Sequence, residues 1–325
     1  MHLRRIWAVV IILAIILFGT IGYLILRQNK QKTPSATPTP ATSGSKQAEV
    51  WTKSGEKLMD NVTSTSTLKL SDGTYRMYFM KDNKILYSNS KDAETFSTSL
   101  ETGISADAAK IISNPSVLEI KNGDWIMIYE EAPQLPAGSV KGPGKATQRN
   151  LMMATSTDGQ NFQKTGTAID SAKDDKFFAS VPDLVKIRDD FFRLYYVSQS
   201  DKIASAVSSD GRSWKREPDF RLTDSSVDPN VILVDGKWVM YFATLEGTGN
   251  KFYKATSTDG YTWQKGQIVL RPNNSQGAIV DPDVVNISGN HYRMFFGESV
   301  SGNAQMNGGG QFDLYYADTE ADIFQ

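Results

Sequence analysis

The chain contains no cysteine and only two histidines. Without cysteine there are no disulfides, no thiolate metal sites and no cysteine nucleophiles. His2 precedes a long apolar run and His291 follows a turn signal, so no histidine metal site or His-based triad is expected. Gly308-Gly309-Gly310 is not followed by the Lys-Ser/Thr pair of a phosphate loop. No calcium-loop pattern occurs either, and no cofactor or metal is required. Basic charge is also scarce. Lys and Arg number 35 against 36 Asp and Glu, and five of the cations (Arg4, Arg5, Arg27, Lys30, Lys32) lie within the first 32 residues. The remainder carries 30 cations against 36 anions, a net −6. A nucleic-acid binder shows a basic surface, so no nucleic-acid partner is expected. With 40% hydrophobic and 22% charged residues, the chain is neither wholly disordered nor fibrous, and its hydrophilic average excludes a polytopic membrane protein.

Charge is wholly missing from Ile6 to Leu26, a run of 21 residues rich in Ile, Leu, Val and Ala. As a helix it spans about 31 Å, enough to cross a bilayer core. Its flanking cations are nearly balanced, so they do not set its orientation. Only five residues precede the run, and everything foldable follows it. Residues 1–32 are therefore expected to be a signal anchor with a transmembrane helix over 6–26. The alternative is a cleaved signal peptide, with Thr20 and Gly22 as a poor cleavage pair. Residues 33–48 open as Thr-Pro-Ser-Ala-Thr-Pro-Thr-Pro and contain no large apolar side chain, the composition of a solvated linker. The expected location is the cell membrane, single-pass, with residues 49–325 extracytoplasmic.

Residues 49–325 repeat. An apolar-aromatic strand recurs five times: Arg76–Phe79, Ile126–Tyr129, Arg193–Tyr196, Val239–Phe242 and Arg293–Phe296. Upstream of four of these stands an X-Pro element: Asn114-Pro115, Val181-Pro182, Asp228-Pro229 and Asp281-Pro282. Downstream comes Ser-x-Asp-Gly with an aromatic three residues on, at Ser156–Phe162, Ser208–Trp214 and Ser257–Trp263, with a degraded copy at Ser90–Phe96. Gly123-Asp124, Asp189-Asp190, Asp235-Gly236 and Gly289-Asn290 are hairpin residues between apolar runs. In Ser-x-Asp-Gly the carboxylate accepts backbone N–H bonds and glycine takes the positive φ. Strongly helical segments are missing. The pattern predicts an all-β fold: a five-bladed β-propeller of four-stranded antiparallel blades, preceded by the one N-terminal transmembrane helix. A β-sandwich does not explain the fivefold recurrence.

These elements resemble the five-bladed propeller glycosidases, the arabinanase, levansucrase and invertase superfamily that includes glycoside hydrolase family 43. The resemblance covers roughly residues 60–325. It implies a carbohydrate or polysaccharide partner and hydrolysis by a carboxylate pair. Such enzymes use an Asp from blade 1, an Asp from blade 2 and a Glu from blade 3, near the starts of the innermost strands. Here the corresponding places hold Ser64, Thr65 or Ser66, then Asn114, then Val181 with Asp183 nearby. None of the three carboxylates is present in register. Either the site is rebuilt from blades 3 to 5, or the protein binds glycans or another protein without hydrolysis.

Strand order places the X-Pro elements and the loops after each second strand on one end of the axis, with the Ser-x-Asp-Gly turns on the other. Asp158, Asp210 and Asp259 are therefore expected to be structural. Asp228, Asp281 and Asp183 are the candidate catalytic carboxylates, since a protonated acid beside an ionised base or nucleophile is what glycoside hydrolysis needs. Asp283, Asn114, Asn230, Glu130, Glu246 and Glu298 are the candidate substrate-binding residues at the same end. Asp-Pro is also a plain strand-entry turn. The insertions Glu131–Arg149 and Gly297–Gln311 border this end and are candidate recognition loops. Trp51, Trp125 and Trp238 are either sugar platforms or core, and the strand pattern favours core for the last two.

Overall fold

The computed structural model describes residues 49–121, 123–135, 147–244, 249–275, 277–299 and 311–324. The apolar run 6–26 and the linker lie outside the described residues. Among the described residues no helix is long and apolar enough to cross a membrane.

Five four-stranded antiparallel sheets follow one another along the chain. Blade 1 is β2 (Ser66–Lys69), β3 (Tyr75–Lys81), β4 (Lys84–Ser90) and β5 (Leu100–Ser105). Blade 2 is β6 (Lys110–Lys121), β7 (Asp124–Pro133), β8 (Asn150–Ser156) and β9 (Gln163–Ile169). A single helical turn, α1 (Ser171–Asp174), leads to blade 3: β10 (Ser180–Arg188), β11 (Phe191–Ser198), β12 (Lys202–Ser208) and β13 (Lys215–Arg216). Blade 4 is β14 (Ser226–Val234), β15 (Lys237–Thr244), β16 (Lys251–Ser257) and β17 (Gln264–Leu270). Blade 5 has three late strands, β18 (Ile279–Ser288), β19 (His291–Ser299) and β20 (Phe312–Thr319), and takes its fourth from the start of the domain, β1 (Thr52–Lys53). That borrowed edge joins the two ends of the ring. Blades 1 to 4 carry a Ser-x-Asp-x turn in the third hairpin, and blade 5 has no third hairpin to carry one.

Hairpins are as tight as their residues allow. In blade 4, Val234 pairs with Lys237 across Asp235-Gly236, whose φ values are +51° and +75°. Two positive-φ residues match the twist of the strands they join.

Each second strand sends alternate side chains into the two neighbouring seams. Tyr195 packs with Met240 and Phe242 of blade 4, while Leu194 and Tyr196 pack with Ile126 and Ile128 of blade 2. Five such apolar layers, one per seam, make up the core. Trp51, Trp125 and Trp238 are buried in three of them, so all three tryptophans serve packing.

The Ser-x-Asp-Gly turns are structural, as their bonding shows. Asp210 Oδ1 accepts from the N–H groups of Arg212 and Ser213, each at 2.8 Å, and Ser208 Oγ accepts from Gly211 N–H at 2.9 Å. Second-strand side chains of the preceding blade cap these turns. Arg76 and Tyr78 donate to Gly159 O, Arg193 to Asp259 O, Tyr195 to Gly260 O, and Arg293 to Ala93 O. Gly159 has φ +64° and lies so near Trp125 that a Cβ would stand 2.9 Å from the ring, so both conformation and space demand glycine. Asp210→Ala is expected to cost about 1 kcal/mol in chemical denaturation, the scale of a lost turn bond. It should leave any glycan affinity within about twofold, roughly 0.4 kcal/mol.

Candidate active site at the axial mouth

The X-Pro elements sit inside the innermost strands rather than opening them. In blades 2 to 5 the register between first and second strands shifts across Ser113/Ser116, Ser180/Asp183, Val227/Asn230 and Val280/Asp283. Each bulge sets two residues against one on the partner strand, and one of the two is the proline, which has no N–H for the ladder and is confined to such irregularities. The residue before each proline is left-handed: φ is +50° at Asn114, +45° at Val181, +55° at Asp228 and +55° at Asp281. Ser64 holds the same place in blade 1, at φ +53°. Non-glycine residues rarely occupy this region, and such strain clusters at functional sites.

Together the four bulges and the Ser64–Ser66 segment of blade 1 line a narrow axial cavity of about 30 Å³. That volume admits about one water, so a sugar would bind above it, at the mouth. The mouth ring is Ser64, Asn114, Val181, Asp228 and Asp281, and a second ring of Ser66, Ser116, Asp183, Asn230 and Asp283 lies two residues further along the strands.

The second ring is a belt of bonds. Each member accepts from the next blade: Ser66 Oγ from Val117 N–H, Ser116 Oγ from Leu184 N–H, Asp183 Oδ2 from Val231 N–H, and Asn230 Oδ1 from Val284 N–H, at 2.8–3.0 Å. Asp283 closes the circle by accepting from Thr67 Oγ1 at 2.6 Å and Thr65 Oγ1 at 2.8 Å. Burial pushes the Asp183 carboxyl well above the usual range and raises that of Asp283. Thus Asp183, Asn230 and Asp283 line the axis while holding adjacent blades together.

Asp228 and Asp281 belong to the mouth ring and stand side by side across the seam between blades 4 and 5. Asp281 N–H points at Asp228 Oδ2 from 3.4 Å, and Ser64 Oγ donates to Asp281 Oδ2 at 2.5 Å. Asp228 is 8% exposed. Burial raises its carboxyl well above the ordinary value, and the neighbouring Asp281 charge adds to the effect. Burial also lifts Asp281, to about 6, with the Ser64 bond opposing the rise. Glu130 raises both carboxyls through its charge. Both carboxyls are thus raised, Asp228 well above the ordinary value and Asp281 to about 6, and an adjacent pair of raised carboxyls is the raw material of an acid and a base.

Glu130, on β7, is 1% exposed and fully engaged. Asn114 Nδ2 donates to it at 2.8 Å, and Ser180 and Arg149 donate as well. Glu298 is occupied otherwise, by Lys53 Nζ at 2.7 Å and Asn273 N–H at 2.5 Å. Glu246 lies outside the described residues, as do residues 136–146 and 300–310 of the two insertions. The structure thus brings together Asp228, Asp281, Asn114 and Glu130, with Asp183, Asn230 and Asp283 one layer down. Ser64, Ser180 and Arg149 escaped the sequence reading as site members. None of the three carries a repeat signal: Ser64 lacks the proline that marks the other mouth positions, Ser180 stands one residue before its mouth position Val181, and Arg149 lies in an insertion. Among the described residues no group of three or more acids or histidines is placed to hold a metal.

No protein-family model matches the chain, and no curated protein matches it. Solved structures do. An α-L-arabinofuranosidase from Lactobacillus brevis superposes with a TM-score of 0.63 at 11% identity, over 80% of this chain and 91% of that one. A family 117 glycoside hydrolase from Zobellia galactanivorans gives 0.62 at 13% identity, over 84% and 90%. A thermostable family-43 glycoside hydrolase gives 0.60 at 12%, over 82% and 91%. The fold is that of the five-bladed propeller glycoside hydrolases. At these identities the likeness is one of architecture.

Proposed function

We propose that this protein is an extracytoplasmic, membrane-anchored propeller that hydrolyses a glycosidic bond of a polysaccharide. The observation that carries this reading is the Asp228–Asp281 pair, two carboxyls that stand side by side at one end of the axial cavity, Asp281 N–H facing Asp228 Oδ2 at 3.4 Å. Asp228 would protonate the leaving oxygen, and Asp281 would act as base or nucleophile. Asn114 and Arg149, half-buried and held by Glu130, would bind hydroxyl groups beside them. The test is release of reducing ends from a panel of plant and bacterial polysaccharides and aryl-glycosides. Release by the parent protein and its loss in Asp228→Asn supports hydrolysis.

A second reading, glycan binding without hydrolysis, draws on one observation: carboxylates occupy the mouth ring only in blades 4 and 5, with Ser64, Asn114 and Val181 elsewhere. A glycan array with retention but no reducing ends would select it.

The uncharged, apolar run Ile6–Leu26 supports the proposed location. Full-length protein is expected to stay with membranes through high salt and carbonate washes, and protease cutting within residues 33–48 should release the propeller. A soluble product starting near Tyr23 would instead mark a cleaved signal peptide.

A further inference from the structure

The first residues of the propeller make a set of buried polar contacts that chain closure alone does not require. Glu49 receives three donors: Trp51 Nε1 at 2.6 Å, Tyr241 OH at 2.7 Å and Lys254 Nζ at 2.6 Å. Two residues beyond Trp51, Lys53 holds its ammonium over the Phe296 ring, 5.3 Å from the centroid, and reaches Glu298 at 2.7 Å. The Glu49 and Lys254 side chains are 5% and 8% exposed, and those of Lys53 and Glu298 are 16% and 8%. Taking such charges out of water costs several kcal/mol per ion, so pairs like these are poor sources of net stability and are better explained as fixing a register.

The register they fix is that of blades 4 and 5. Tyr241 and Lys254 belong to blade 4, Glu298 and Phe296 to blade 5. Trp51 meets the Tyr241 ring edge-on at 5.5 Å, and Phe252 of blade 4 meets Phe296 at 6.0 Å, in the same apolar layer. The contacts fall directly behind the acidic pair. Tyr241 is the strand partner of Asn230, two residues after Asp228. Glu298 is the strand partner of Ile279, two residues before Asp281. Any slip between the blades moves one aspartate relative to the other, because each sits on a bulge anchored by these partners.

We propose that Glu49, Trp51 and Lys53 form a clasp across the blade 4–blade 5 seam that positions Asp228 against Asp281. This rests on the reading of that pair as the working carboxylates, and it makes the three clasp residues positioning residues with no contact to substrate. Loosening the seam would let water reach the buried side of the pair and relax the burial that lifts Asp281. The other groups facing Asp281 are Asp228, Glu130, Ser64 and Thr63, none of them part of the clasp.

The test is titration of the Asp281 carboxyl by NMR in full-length protein carrying carbon-labelled aspartate, with Asp281→Asn providing the assignment. The parent should show a midpoint near 6. In the double variant Glu49→Gln, Lys53→Met the midpoint should fall by about one pH unit, as expected when a buried carboxyl is rehydrated. Lys53→Arg should keep it near the parent value. Arg193→Met, which removes a cap between blades 3 and 4, should lower the melting temperature without moving the Asp281 midpoint. An unchanged midpoint in the double variant, or an equal shift in Arg193→Met, overturns the clasp. Should the double variant not fold, Lys53→Met alone decides by the same reading, since methionine keeps an unbranched side chain in place and removes only the charge. The titration needs no turnover, so it decides the clasp even if the protein proves not to hydrolyse glycans.

Discussion

Asp228→Asn and Asp281→Asn are each expected to cut polysaccharide hydrolysis by at least about 100-fold, the scale for losing a general acid or base. The two losses should differ in kind. Asparagine at 228 removes the proton that the leaving oxygen needs, so substrates with acidic phenol leaving groups should lose least. Asparagine at 281 removes the ionised group and should hurt all substrates alike. Both variants should fold, because asparagine has the size of aspartate and tolerates the left-handed conformation at +55°. Steady-state rates on an aryl-glycoside and a polysaccharide, with melting curves as the check on folding, measure this. If the protein only binds glycan, the same substitutions should instead weaken affinity by roughly 1 to 3 kcal/mol, the scale for leaving a polar group unpaired.

The same aspartates should work against stability at neutral pH. Asp228, Asp281, Asp183 and Asp283 all have carboxyls raised in the folded protein, first of all by burial. A raised folded value means that the folded state holds its proton more tightly. The stability this brings is complete below about pH 4 and is lost as pH rises through the folded values, which for Asp281 means through about 6. The turn aspartates act in the opposite sense. Backbone N–H bonds hold Asp92 and Asp210 down at about 2, so their contribution is present above pH 4 and fades as pH falls toward 2. The melting temperature should therefore peak between about pH 4 and 6 and decline toward pH 8. Asp281→Asn, although inactive, should melt higher than the parent at pH 7.5, on the order of 3 °C or about 1 kcal/mol for a domain of this size, with no gain at pH 4.5. Calorimetry of both proteins across that range checks it. A parent protein most stable at pH 8 would mean that the axial carboxyls are not raised.

How much of this was legible in the sequence depends on the range of the interaction that creates it. The blades were, because each is a local run of hairpins with its own turn residues and one aromatic strand. The Ser-x-Asp-Gly turns were, because carboxylate, serine and glycine bond within four residues of one another. The mouth was half legible. Recurring X-Pro elements marked the axial end, yet they gave no sign that the proline lies in a bulge, which appears only when Val227 and Asn230 are seen to face Ala243 and Tyr241. Ser64 has no proline after it and could not be told from Thr65 or Ser66. The belt was invisible, since the bond from Val231 N–H to Asp183 joins residues 48 apart through the curvature of the ring. The edge strand β1 is two residues long and has no periodicity of its own. Its place is set by Tyr316 and Asp318 at the far end of the chain.

The pH dependence of kcat/KM for polysaccharide hydrolysis tests the acid–base pair most directly. The account predicts a bell whose acid limb has its midpoint near 6, where Asp281 ionises, and whose alkaline limb reports loss of the proton on Asp228 and disappears in Asp228→Asn. A profile flat between pH 5 and 8, or an alkaline limb that survives in Asp228→Asn, would contradict it.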